Sequence, residues 1–151
     1  MRKIIIYSLF TCLLISGCRT QGNRIDAFYF LNGKWNSSGT ESYEYWNIQD
    51  HHLSGIALRM IENKLEKVDS MLIEERDGGF IMTLHIRYSR KQKAVYEFVS
   101  LKNGGYFKNN SVFPNQISYQ PQKNTRNIIV KAGEDIFKNK NSFEFLYVPV
   151  D

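Results

Sequence analysis

ESYEYWNIQDHHLSGIALRM, Glu41 to Met60, is the stretch whose reading decides the fold. Two runs rich in Tyr, Ile, Leu and Trp alternate with polar residues on either side of Gln49-Asp50-His51-His52. Alternation with a period of two marks half-buried strands, so the stretch reads as an antiparallel hairpin. Pairing Gln49 with His52 sets Trp46 opposite Gly55 and Glu44 opposite Ala57, a large ring facing a residue without a side chain. One face of the hairpin then carries Glu44, Trp46, Gly55, Ala57 and Arg59.

The same pattern continues along the chain. Strands are expected near 40–48, 53–61, 65–76, 79–88, 93–102, 104–109, 115–120, 126–132 and 142–149. Turns are expected at Asp50-His51, Glu62-Asn63-Lys64, Asp77-Gly78, Arg90-Lys91-Gln92, Asn103-Gly104 and Gly133-Glu134, with solvated loops at 121–125 and 137–142. Asp-Gly and Asn-Gly suit tight hairpin turns, whose central residues need positive φ. Consecutive hairpins of about nine strands leave exposed edges unless the sheet closes. The expected class is therefore all-β, an antiparallel up-and-down barrel, with a two-sheet sandwich as the alternative. Upstream, Ile25, Phe28, Tyr29 and Leu31 recur at helical spacing, which predicts one or two turns of helix covering an opening. Asn36-Ser37-Ser38-Gly39 reads as flexible.

Turn geometry extends the inward face across further strands. A three-residue turn at Glu62-Asn63-Lys64 pairs Ala57 with Asp69 and Gly55 with Met71; the Asp77-Gly78 turn pairs Met71 with Leu84 and Ile73 with Met82. The face that results holds Trp46, Gly55, Ala57, Met71, Ile73, Phe80, Met82, Leu84 and Ile86, an apolar interior. Three charged residues share it: Glu44, Arg59 and Asp69. Two strand spacings set the carboxylates about 10 Å apart, within reach of the guanidinium. A two-residue turn at 62–64 would instead send Asp69 outward. Buried charges require partners, so the three form either a structural ion cluster or a site where Arg59 holds the anionic head of an apolar ligand beside Trp46. Met71 and Met82 would suit a flexible tail, and equally fill a small barrel.

The chain opens with Arg2-Lys3, an apolar run Ile4–Ser16, and Gly17-Cys18. This is the build of a secretory signal peptide, and too short for a permanent membrane helix, which needs roughly 20 residues. Leu14-Ile15-Ser16-Gly17-Cys18 resembles the bacterial lipobox. That resemblance implies removal of residues 1–17, acylation of Cys18 and a polar tether over 18–24, ahead of one domain over 25–151. Cys12 leaves with the signal, so no internal disulfide forms. Several acyl chains on one cysteine anchor firmly where one would not. Arg19, at the position where enteric-type bacteria read Asp as inner-membrane retention, favours the outer membrane of a Gram-negative cell envelope. Removal also lowers the formal charge of +5 by two. The remaining charge is spread out, which argues against nucleic acid as a partner.

Leu31-x-Gly33-x-Trp35 after a short helix resembles the opening of calycin-type (lipocalin-like) barrels. With Glu44-x-Trp46, Gly55-x-x-x-Arg59, Val68-Asp69 and Phe113-Pro114-x-x-Ile117-x-Tyr119, residues 28–149 resemble an uncharacterised calycin-like domain family of bacterial exported proteins. The family pattern has His-Asp where this chain has Ser111-Val112, so any activity of that pair is not expected here. The resemblance implies an exported barrel and no settled activity.

Little else in the chain carries chemistry. His51 and His52 share a turn and His85 alternates outward with Thr83 and Arg87, so neither a metal site nor a haem site is expected, and no cofactor is. No serine nucleophile stands in a recognisable elbow. Glu44 and Asp69 as an acid/base pair remain an outside reading. Tyr43, Tyr45, Tyr88 and Tyr96 read as ordinary strand residues rather than a stacking surface. The sequence thus points to a lipid-anchored envelope lipoprotein, anchored to the membrane through its N-terminal lipid, whose barrel holds a small apolar or amphipathic ligand. The alternative is a structural or interaction lipoprotein with a filled barrel, and an enzyme trails both.

Overall fold

The computed structural model describes residues 25–87, 93–100, 102 and 104–151. Residues 1–24, with Cys18, and the expected features at Tyr88, Arg90-Lys91-Gln92 and Asn103 lie outside the described residues.

A 3-10 helix, Ile25–Leu31, leads into ten strands among the described residues. They are β1 (Gly33–Ser37), β2 (Ser42–Gln49), β3 (His52–Ile61), β4 (Lys64–Arg76), β5 (Gly79–Ile86), β6 (Lys93–Ser100), β7 (Gly105–Lys108), β8 (Gln116–Pro121), β9 (Ile128–Asp135) and β10 (Lys140–Pro149). Each pairs antiparallel with its neighbour in sequence, and β1 pairs with β10 to close the barrel. Closure leaves no sheet edge, so the sandwich alternative falls.

The expected count of nine misses β1. Gly33–Ser37 is short and polar, and only Trp35 and Ser37 turn inward to burial. Its order comes from tertiary contacts. The Trp35 indole Nε1–H donates to the Leu31 carbonyl at 2.7 Å, tying strand to helix. The Ile48 amide donates to Asn32 Oδ1 at 3.1 Å. The Gly133-Glu134 turn is also corrected: β9 runs through both residues, and Asp135 pairs with Lys140. Gly133 marks a close approach of backbones, since a Cβ there would lie 2.5 Å from the Ser142 Cα. Lys140–Ser142, expected as loop, belongs to β10.

The β3–β4 connection reaches the expected register by a different route. Glu62 and Asn63, both at positive φ, form a two-residue turn between paired Ile61 and Lys64. A bulge then steps the pairing from Leu58↔Lys67 to Ala57↔Asp69, leaving Val68 unpaired. The extra residue cancels the shorter turn, and Asp69 returns to the inward face. The registers Trp46↔Gly55, Glu44↔Ala57, Gly55↔Met71, Met71↔Leu84 and Ile73↔Met82 all hold.

Alternation of strands defines two ends. The helix shares one end with the β2–β3, β4–β5, β6–β7 and β8–β9 connections. There Phe28 meets Phe80, Phe98 and Phe107 at ring-centroid distances of 4.9, 6.0 and 5.7 Å. A Cβ on Gly105 would come within 2.7 Å of the Phe28 ring, so that strand position must be glycine for the plug to seat. Phe28, Leu53, Ile73, Met82, Tyr96 and Phe107 are wholly buried.

Candidate functional site

The opposite end is built differently. Trp35, Glu44, Ala57, Asp69 and Ile86 are successive partners across β1 to β5, forming one inward row. Ala57, Asp69 and Ile86 are only partly buried. Across the barrel, Phe143 and Phe145 face inward opposite Ala132 and Val130, yet are 56% and 38% exposed. Inward-facing side chains that water reaches make this end a mouth.

Glu44 is the pivot of the row. Its hydrogen-bond partners are neutral: Trp46 Nε1–H donates to Oε2 at 2.7 Å and the Tyr147 hydroxyl donates to Oε1 at 2.7 Å. Burial pushes the carboxyl up to about 7, against the lowering effect of the hydrogen bonds from Tyr147 and Trp46. Both charge states fit this cage. Indole can only donate, whereas a phenol can also accept, so a protonated Glu44 turns its own O–H toward Tyr147 and keeps the bond from Trp46. Burial raises the Tyr147 and Tyr119 phenols as well, with the nearby Glu44 carboxylate adding to both. Tyr119 stands edge-on to Trp46 at 5.7 Å and its hydroxyl reaches Met71 Sδ at 3.9 Å.

Asp69, two strands from Glu44, is half-buried. Desolvation raises its carboxyl, while Arg59 and the main chain at Arg87 oppose the shift. It lies on a cleft of about 390 Å³ with Lys67, Ser70, His85 and Ile86.

Arg59 is placed otherwise than the expected cluster requires. It lies on the same side of β3 as Ala57 and Gly55, but its side chain is exposed at the barrel rim. Among the described residues it makes no ion pair within 4 Å with Glu44 or Asp69, and it acts on Asp69 through charge alone. The enclosed three-membered ion cluster is therefore not formed. Glu44 is instead satisfied by an indole and a phenol. Trp46 is buried flat against Gly55, where a Cβ would come within 2.7 Å of its ring.

Tyr147, Tyr119 and Tyr96 add phenols to the interior polar groups, and none is among the residues expected at the site. Tyr119 and Tyr96 follow from strand parity; Tyr147 does not, because its strand follows the misplaced 133–142 region. Tyr96 is fully buried and its hydroxyl donates to the Pro114 carbonyl at 2.8 Å, so the β7–β8 loop is tied to the barrel interior. Burial pushes this phenol up to about 12. His51 and His85 are exposed and His52 is half-buried beside the β2–β3 turn. Among the described residues, no three His, Cys, Asp or Glu side chains converge as metal ligands.

Comparison with known proteins returns no match: no protein family, no curated relative and no solved structure is similar to the chain.

Proposed function

We propose that this protein is a calycin-like, lipid-anchored envelope protein that receives a small amphipathic molecule through the mouth of its barrel. The observation that carries the reading is the inward row Glu44–Ala57–Asp69–Ile86, in which a buried carboxyl adjoins three partly exposed positions at the end opposite the helix. A ligand would place its apolar part against Met71, Leu84 and Ile86 and its polar head between Asp69 and the rim guanidinium of Arg59. The calycin-like reading rests on the helix plugging one end, Trp35 tying helix to first strand, and the up-and-down strand order.

The anchor reading rests on the sequence Leu14–Cys18 and adds a direction. The described chain starts at the plugged end, and residues 18–24 extend at most about 25 Å. Lipid on Cys18 would hold the plugged end toward the bilayer and leave the mouth toward the aqueous compartment. Cys18→Ser should release the protein from membranes; persistent membrane association would contradict the anchor.

Binding is tested by native mass spectrometry and thermal shift on residues 25–151 with medium-chain fatty acids and alkylamines. A 1:1 adduct with raised Tm, lost in Arg59→Met or Asp69→Asn while folding persists, supports the reading. No adduct and no shift with either class favours the second reading, a barrel closed on itself. That reading has its own observation: both Glu44 oxygens already have partners within the chain.

A further inference from the structure

The second concave feature stands at the rim of the mouth, where the β7–β8 loop and the β9–β10 hairpin meet. A cleft of about 680 Å³ separates the β7–β8 loop from the β9–β10 hairpin. Its apolar wall is made of Phe113 and Phe143, 58% and 56% exposed, with centroids 6.4 Å apart and planes at 78°. Its polar wall is neutral in character. Asn110, Asn115 and Asn141 contribute amides. The one carboxylate, Glu134, is already held by Asn141 Nδ2 at 2.9 Å and Lys140 Nζ at 3.2 Å.

The two halves of the lining ask for different things of a ligand. Exposed rings need a flat apolar face to cover them. Amides offer both donors and acceptors, and so match groups that both donate and accept. A pyranose ring has this constitution, with a C–H face on one side and equatorial hydroxyls around its rim. A nucleic acid or anionic ligand finds no uncommitted cation, since Lys140 is spent on Glu134. A cation finds a carboxylate already neutralised. A membrane surface would meet three amides and an ion pair between the rings and the lipid, which is unfavourable.

We propose that the cleft between Asn110–Asn115 and the β9–β10 hairpin binds a neutral oligosaccharide, with one of Phe113 and Phe143 stacked on a sugar's C–H face, the other closing against its edge, and the asparagine amides engaging its hydroxyls. The loop that carries Phe113 is preorganised for this. Asn109 Oδ1 accepts the Ser111 and Val112 amides, both at 2.9 Å, and the Asn109 and Asn115 backbones are bonded at 2.8 Å. The cleft shares Phe143 with the rim of the mouth but contains none of Glu44, Asp69 or Arg59, so Arg59→Met, which weakens a ligand inside the barrel, should leave sugar binding unchanged.

The test is isothermal titration of the full chain in a polyoxyethylene detergent, which carries no sugar, with chitotriose and with maltotriose. Saturable binding of either is expected, weakened by roughly tenfold in Phe113→Ala and in Phe143→Ala. Asn110→Ala should weaken it while leaving Tm unchanged. Absence of heat with both sugars at millimolar concentration overturns the proposal. So does binding that both phenylalanine variants leave intact. Ring-dependent association of the same protein with phosphatidylethanolamine vesicles, without sugar binding, assigns the rings to lipid and overturns it equally.

Discussion

The two ends of this barrel are made from the same alternating strands and differ in what fills them. At the helix end, Phe28 joins four aromatic rings in one contact set, in which Phe28, Phe80 and Phe107 are buried and Phe98 is half-buried. At the mouth, the inward positions hold Glu44, Asp69 and Tyr147 beside partly exposed Ala57 and Ile86. Stability is therefore concentrated at the first end and polar chemistry at the second.

The sharpest way to break the comparison is to empty the plug. Phe28→Ala should cost about 3–5 kcal/mol in chemical denaturation, the range for removing a packed ring. A cost below about 1 kcal/mol would mean that the helix does not seal the barrel.

Next in size is the charge at the mouth. Glu44 holds its proton more tightly in the folded chain, with its carboxyl raised from 4.5 to about 7. Between those two values the folded state binds more protons than the unfolded one, so stability falls as pH rises through that window. The fall is on the order of 3 kcal/mol. Glu44→Gln keeps an acceptor for Trp46 and a donor for Tyr147, and should flatten the profile, gaining over the parent above pH 7. Urea midpoints measured across that range decide it; a parent profile as flat as that of the variant would place Glu44 in water.

Midway between the ends, Gly55→Ala drives a methyl into the Trp46 ring and should cost about 1–3 kcal/mol, with a shift in tryptophan emission. Smallest is Phe143→Ala at the rim, expected within about 0.5 kcal/mol of the parent. A large loss there would show that the mouth is structural after all.

The fold was legible because register follows from hairpin turns. Asp77-Gly78 and the 49–52 turn carry unambiguous signals, and four strands fell into place from them. Asp69 was placed on the right face although the expected three-residue turn is a two-residue turn plus a bulge at Val68. Bulges have no strong sequence mark, so that agreement came from two compensating features. β1 escaped because its order depends on Trp35 reaching Leu31, a contact visible only once the helix is seated. The candidate site was legible in part. Glu44, Trp46 and Asp69 share the inward face as parity requires. Arg59 shares their side of the sheet but runs past the end of the enclosed row to the rim, and alternation alone says nothing about where a barrel stops. Tyr147, the partner that replaces Arg59 at Glu44, is 103 residues away in sequence. No local pattern links residues so far apart.

The central claim is that the mouth admits an amphipathic ligand to the row of Glu44 and Asp69. The protein has two tryptophans, Trp35 and Trp46, and both are interior. In a Trp35→Phe background, emission comes from Trp46 alone, hydrogen-bonded to Glu44. Titration with a brominated medium-chain amphiphile below its micellar concentration should quench that emission saturably, at one ligand per chain, and less tightly in Arg59→Met. Emission that stays unquenched, or falls linearly with total amphiphile without saturating, would contradict the account.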